Sequence, residues 1–256
     1  MDLGLRGKKA FVTGGTHGIG LAVATQLADE GVAVAVCGRD SERLDAAVAS
    51  LGPQAYGVKV DVTDPAALGA AIDEAATRLD GLDLLVANVG GGFGRSLLDS
   101  TPEDWTRTFE VNVLHAANAI RSAVPHLSDG GGSAVIVSSI TGWKPGPSPS
   151  YASAKAAEIH LAAVLGRELG PRGIRVNALS PGSVLFEGGG WANMAKNDPD
   201  RYATFAREDF PRGRLVELRE VADVACFLLS DRASGINGAN ICVDAAQDHP
   251  TAGRLY

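Results

Sequence analysis

Tyr151 and Lys155 lie at i and i+4 in Tyr151-Ala152-Ser153-Ala154-Lys155, a spacing that puts both side chains on one face of a helix. A free phenol, titrating near ~10, is a poor proton donor or acceptor at neutral pH, whereas an ammonium beside it favours the phenolate and makes it a usable acid or base. Upstream, Ser138-Ser139 closes an apolar, strand-like run. A hydroxyl aimed at a substrate oxygen from there would stabilise charge developing on that oxygen. These residue types suit the interconversion of a carbonyl and an alcohol, in which the oxygen exchanges a proton while its carbon exchanges hydride.

A tyrosine and a lysine at this spacing mean little alone. Their weight comes from a glycine-rich turn near the N-terminus, Thr13-Gly14-Gly15-Thr16-His17-Gly18-Ile19-Gly20, which follows the apolar run Ala10-Phe11-Val12 and leads into an apolar-periodic helix. That is the strand-to-helix context of a dinucleotide-binding turn. Helix N-termini offer unpaired N–H groups and partial positive charge, so Gly14, Gly18 and Gly20 would let a pyrophosphate approach the backbone, flanked by Thr16, His17 and Ile19. Where NAD-binding folds carry an acidic residue after the second strand, this chain has Gly38-Arg39. A guanidinium suits the 2′-phosphate of NADP(H), the expected cofactor, with NAD(H) the alternative. Equally, Arg39 reads as a solvated turn residue ahead of a helix capped by Asp40. Asp61 and Val62 after the third run, on the adenine side, and Asn88 and Gly90 after the fourth complete the cofactor candidates.

The elements that must place these residues are apolar, β-branched runs at 10–13, 33–37, 56–60, 82–87, 134–137, 175–179 and 241–243, alternating with longer helical patterns. Such alternation predicts an α/β fold of the Rossmann type, a doubly wound parallel sheet of about seven strands with helices on both faces. Asp64-Pro65 and Thr101-Pro102 read as N-cap and N1 pairs. With no repeat or linker, residues 1–256 read as a single dinucleotide-binding and catalytic domain. One stretch departs from the rhythm: 183–214 holds Gly188-Gly189-Gly190, Phe186, Trp191, Phe205 and Phe210 without a clear strand, which suggests a substrate lid. Those rings and Trp143 either line an apolar pocket or form lid core or a subunit contact.

The formal charge of −7, with scattered basic residues, gives no footprint for nucleic acid or an anionic membrane. Cys37, Cys226 and Cys242 form neither a disulfide framework nor a metal spacing, so buried free thiols and no metal site are expected. The first residues lack the apolar region of a secretory signal, and no apolar run is long enough to span a bilayer, which points to the cytoplasm.

In this order the glycine turn, Asn88-Val89-Gly90, Asn112, the serine pair, Tyr151-x-x-x-Lys155 and Pro181-Gly182 resemble the short-chain dehydrogenases/reductases over essentially the whole chain. The resemblance implies an NAD(P)-dependent enzyme acting on a CH–OH or C=O group. Tyr151 and Lys155 would be its acid–base pair, also touching cofactor, with Ser139 at the substrate oxygen and Asn112 holding a water that relays protons through Lys155. Pro181, Gly182 and Val184 would lie near the nicotinamide. The resemblance also implies a homo-oligomer, tetramer or dimer, joined through helices at 101–122 and 151–169.

Several positions depart from the family pattern. Ala87 replaces the asparagine that usually braces the sheet, Phe186 stands about where a threonine lies near the carboxamide, and Val243-Asp244-Ala245-Ala246 replaces Val-Asp-Gly-Gly. Spacing to Tyr151 selects Ser138, whereas the strand-anchored pattern Ser-x-x-Gly selects Ser139 with Gly142. We take Ser139, with Ser138 as the alternative, because the strand sets side-chain direction and the loop 143–150 easily absorbs a deletion.

The expected activity is reduction of a small-molecule ketone, apolar or cyclic, to a secondary alcohol, or the reverse. The alternatives are a 3-oxoacyl-carrier-protein reductase and a non-catalytic dinucleotide-binding regulator. Ser128-Asp129-Gly130-Gly131-Gly132 offers an acidic carrier no cation, and a regulator has no chemical need for Tyr151, Lys155, Ser139 and Asn112 together.

Overall fold

Strands buried on both faces build this molecule from side chains of alternating direction. In β1 (Lys9–Thr13), Ala10 and Val12 enter one core and Phe11 the other. β2 (Ala33–Gly38) splits Val34 and Val36 from Ala35 and Cys37 in the same way. The remaining strands are β3 (Tyr56–Lys59), β4 (Leu84–Ala87), β5 (Gly132–Val137), β6 (Ile174–Pro181), the short β7 (Val184–Leu185) and β8 (Val216–Glu217), and β9 (Asn240–Val243). The sheet order is β3-β2-β1-β4-β5-β6-β9, every pairing parallel. This computed structural model describes residues 2–127, 130–146 and 148–249; Ser128 and Asp129, named above for a carrier contact, lie outside the described residues.

Helices cover the two faces. α1 (Gly18–Asp29), α2 (Ser41–Leu51) and α9 (Leu218–Leu229) bury Val23, Leu27, Leu44, Leu51, Val221 and Leu228 on the Val12 side. α3 (Pro65–Leu79), α5 (His115–Leu127) and α6 (Pro149–Leu169) cover the Phe11 side through Leu68, Ile72, Ile120 and Ala162. The two predicted caps form: Asp64 accepts from the N–H groups of Ala66 and Ala67, and Thr101 shares a capping box with Asp104 at the start of α4 (Pro102–Phe109). The helix expected at 101–122 is interrupted by a π turn, Glu110–Leu114, and α5 then runs on to Leu127.

The 183–214 stretch is more ordered than expected: β7 pairs with β8, and α7 (Gly190–Asn197) and α8 (Pro199–Asp209) lie between them. Cys37 and Cys226 are buried free thiols, each pushed up to about 12 by burial, but Cys242 is exposed. Among the described residues no helix is long and apolar enough to cross a membrane.

The replacement of family glycines after β9 has a local effect. Ala245 and Ala246 take φ of 51° and 59°, the left-handed region, which costs an alanine roughly 1–2 kcal/mol. Part of that is offset because glycine loses more chain entropy on folding. Replacing both by Gly is expected to raise stability by about 1 kcal/mol, or roughly 2–4 °C in Tm. A thermal unfolding midpoint that stays or falls would show these residues to be unstrained.

Candidate active site

The glycine turn joins β1 to α1. Gly14 and Gly18 have φ of 62° and 57°, and a Cβ on Gly20 would lie 2.3 Å from the Gly14 carbonyl oxygen, so a side chain cannot be added without opening the turn. His17 is the N-cap of α1 but makes no side-chain cap bond, leaving the donors of the first turn without a capping partner. Asn88 braces this turn from β4. Its Nδ2 donates to the carbonyls of Thr13 (3.1 Å) and Gly14 (3.3 Å), and its N–H donates to Thr13 Oγ1 (2.9 Å). Ala87 has no side-chain polar group to brace the sheet, and these bonds of Asn88 hold the glycine turn instead. Thr13 Oγ1 also lies 3.0 Å from Nε2 of buried His115, whose Nδ1 has no partner. Burial first, and the charge of Lys155 second, push His115 down to about 3, so it is neutral.

From this turn a cavity of about 780 Å³ runs along the carboxyl edge of the sheet. Of the cofactor candidates, Gly14, Thr16, His17, Gly18, Ile19, Arg39, Asp61, Val62, Asn88 and Gly90 line it; Gly20, Tyr151, Lys155, Pro181, Gly182 and Val184 do not. At its far end Arg39 lies 3.8 Å from Asp61 and is largely exposed. The Thr63 backbone and side chain, bonded to Asp61, hold that carboxyl below its ordinary value, with Arg39 adding to the effect. Asp40 caps α2 by accepting from Arg43 N–H (3.0 Å). Arg43 lines the cavity as well, a second guanidinium that the sequence reading passed over.

At the chemical end the structure separates the two serines. Ser138 is buried and donates to the Lys155 carbonyl (2.8 Å). Ser139 is partly exposed, and its Oγ accepts from the Thr141 N–H (3.2 Å) and Thr141 Oγ1 (3.1 Å). Gly142 lets this turn rest on α6: a Cβ there would meet the Lys155 carbonyl oxygen at 2.8 Å. Tyr151 and Lys155 open α6, with Nζ 5.6 Å from the Tyr151 ring centroid. Lys155 is buried and donates to the Val137 carbonyl at the end of β5 (2.9 Å).

Asn112 sits in the π turn with its amide committed. Nδ2 donates to the carbonyls of Gly91 (2.7 Å) and Thr108 (2.6 Å), and Oδ1 accepts from Gly91 N–H (3.2 Å). Both amide protons are spent on backbone, so any water held here would meet oxygen acceptors and not the Asn112 nitrogen. A Cβ on Gly90 would lie 2.6 Å from Asn112 Oδ1 and 2.8 Å from Lys155 Nζ, and one on Gly92 would lie 3.1 Å from Tyr151 Cβ. Glycines therefore join the cavity to the Tyr–Lys helix.

Of the aromatic residues, Trp191 stacks on Phe205 (4.5 Å) and Phe205 meets Phe210 edge-on (5.7 Å), so these three form the core of the 183–214 segment. Trp143 is exposed. Of the five rings named from the sequence, only Phe186 reaches the cavity, its ring edge-on to His17 (5.6 Å) and 3.2 Å from where a Gly18 Cβ would be; Phe93 lines the cavity as well. Two buried residues had been missed. Gln247 binds Ser183 through both ends of its amide, and Glu158 pairs with Lys155. An acidic residue three positions after Lys155, on a helix face with Ala154 and Ala162, was the available signal for Glu158.

Comparison with known proteins gives consistent results. A family model described as enoyl-(acyl carrier protein) reductase matches residues 14–245. Dehydrogenase/reductase SDR family member 4 of Mus musculus is 36% identical over 93% of this chain and 86% of its own length. L-Sorbose reductase from Gluconobacter frateurii, solved with NADPH and L-sorbose, is similar in structure, with a TM-score of 0.90 at 31% identity over 96% of this chain and 98% of that one. 7α-Hydroxysteroid dehydrogenase, solved with NADH and 7-oxo glycochenodeoxycholic acid, also gives 0.90, at 30% identity over 98% of each chain.

Proposed function

The chain belongs to the short-chain dehydrogenase/reductase family, nicotinamide-dependent enzymes of alcohol and carbonyl groups, and from that premise we propose that it interconverts a ketone and a secondary alcohol with NADP(H). The observation that carries the reading is Gly90, which lines the cavity leading from the glycine turn and, at the same residue, touches the surroundings of Lys155 and Asn112. A dinucleotide fits the residues present. Gly14 and Gly18 line the cavity, Gly20 keeps the turn closed against the Gly14 carbonyl, and the uncapped first turn of α1 has donors for a pyrophosphate. When bound, the nicotinamide supplies or accepts the hydride.

The chain's own residues manage the oxygen. Tyr151 gives its proton to the carbonyl oxygen in reduction and takes it back in oxidation. Ser139, whose hydroxyl is free of the core, donates to that oxygen as charge develops, while Ser138 ties β5 to α6. Lys155 keeps a positive charge beside the phenol, and Asn112 fixes the π turn against Gly91. Pro181, Gly182 and Val184 end the edge nearest the 183–214 segment, which we read as a lid whose cavity-facing ring is Phe186. The exposed apolar residues Leu114 and Val164, on the stretches named for subunit contact, support a homo-oligomer.

Arg39 and Arg43 are the residues for a 2′-phosphate. Arg39→Ala is expected to weaken NADPH binding roughly tenfold, the value of one charge-assisted hydrogen bond, and NADH binding little. Equal losses with both cofactors would remove the basis for the preference. The function itself is tested by NADPH consumption, with NADH in parallel, against cyclic, aromatic, 3-oxoacyl and sugar carbonyls. Turnover confined to one class identifies the substrate; tight cofactor binding without turnover on any class would favour a regulator.

A further inference from the structure

Among the described residues, Glu158 is the buried charged side chain that the roles above leave unused. It lies one helical turn after Lys155 with its carboxylate 1% exposed, and its Oε1 and Oε2 accept from Lys155 Nζ at 3.1 and 2.9 Å. With the Val137 carbonyl at 2.9 Å, these contacts use all three protons of the ammonium. Two oxygens within hydrogen-bond reach of one Nζ suit a carboxylate paired with an ammonium, a closed, neutral unit beside the Tyr151 ring.

We propose that Glu158 is a positioning residue of this site: it clamps Lys155 through both carboxylate oxygens and offsets the ammonium charge that Tyr151 feels, so that the phenol enters the reaction carrying its proton, as the acid of carbonyl reduction. The proposal rests on the reading of Tyr151 as that acid. Burial works against the Lys155 charge, but Glu158 and Tyr151 together hold it above its ordinary value; burial likewise raises the Glu158 carboxyl against the pull of Lys155 and Ser138. Facing the pair are Tyr151 from α6 itself, His115 from α5, and only neutral groups from β5 (Val137, Ser138) and from Asn112 of the π turn. The other charges on neighbouring segments have their own surroundings. Arg107 of α4 lies over the Phe93 ring, Glu110 lines the cavity, Lys144 meets Asp244, and Arg175 of β6 bonds the carbonyls of Leu228, Ser230 and Ile236.

The sign follows from the charge of the unit. With Glu158 present, the next proton lost takes the site from neutral to −1; with glutamine there, from +1 to neutral, which is easier whichever group releases it. The test is the phenolate absorbance of the whole protein as pH is raised, for wild type and Glu158→Gln, each measured with and without Tyr151→Phe. The difference isolates Tyr151 from the other three tyrosines of the chain's four. Glu158→Gln is expected to form the Tyr151 phenolate about one pH unit lower, the low end of the effect of a neighbouring charge. The pH profile of alcohol oxidation should move in the same direction. Glu158→Met removes the same charge at similar length and should give the same shift if the glutamine variant does not fold. A Tyr151 midpoint that is unmoved or raised, with only a lower rate, would overturn the proposal and leave Glu158 a packing residue. A shifted midpoint in a protein that turns over no carbonyl would uphold the clamp and overturn the reductase reading.

Discussion

Replacing Tyr151 with Phe is expected to cut kcat for carbonyl reduction by roughly 10³-fold while leaving cofactor affinity nearly unchanged, since a positioned acid contributes about 10²–10⁴. The ring can stay where it is. Its contacts with Gly92 and with the ammonium of Lys155 involve Cβ and the ring face, and the variant removes only the hydroxyl. Cofactor binding, followed by quenching of protein fluorescence, is the control that separates lost chemistry from lost structure. Retained turnover with retained binding would place the acid on another residue.

The second large effect concerns two adjacent serines that should behave in opposite ways. Ser139→Ala is expected to lower kcat about 10²-fold, the lower end of what one donor to a developing oxyanion contributes, with little change in unfolding midpoint. Ser138→Ala should do the reverse. It removes a buried hydrogen bond to the Lys155 carbonyl, worth about 1 kcal/mol of stability, and touches no reacting atom. Steady-state kinetics and thermal unfolding of both variants decide the assignment; a larger kcat loss at Ser138 would reverse it.

The different settings of these serines were legible because β5 alternates. Ala134 and Ile136 face the α5–α6 side, Ser138 continues that side and reaches the Lys155 carbonyl, and Ser139 turns the other way. The same periodicity placed the strands to within two residues, and proline after Asp64 and Thr101 marked two helix starts. Other features leave no such trace. The π turn at 110–114 has no residue pattern distinct from the α-helix around it, so the commitment of the Asn112 amide was hidden. β7 and β8 are two residues each, too short for alternation to register, and their pairing joins 184 to 216 across two helices. Arg43 is an ordinary helix residue by type, distinguished only by its place on the cavity, whereas Glu158 shows in the sequence as an acidic residue three positions after Lys155, with nothing there to say that the pair is buried.

Because every strand of the sheet runs the same way, the chain revisits the carboxyl edge once per crossover and leaves one cluster of side chains at each visit. Residues 38–43, 61–62, 88–92, 138–142 and 181–186 are separate deposits on a common rim, each carried by its own loop between rigid elements. Such a rim is divisible. Exchange of one loop rewrites one stretch of the surface and leaves its neighbours in register, so a lineage built on this scaffold can alter which ligand end it grips by changes a few residues long, without touching the sheet that keeps the rest aligned.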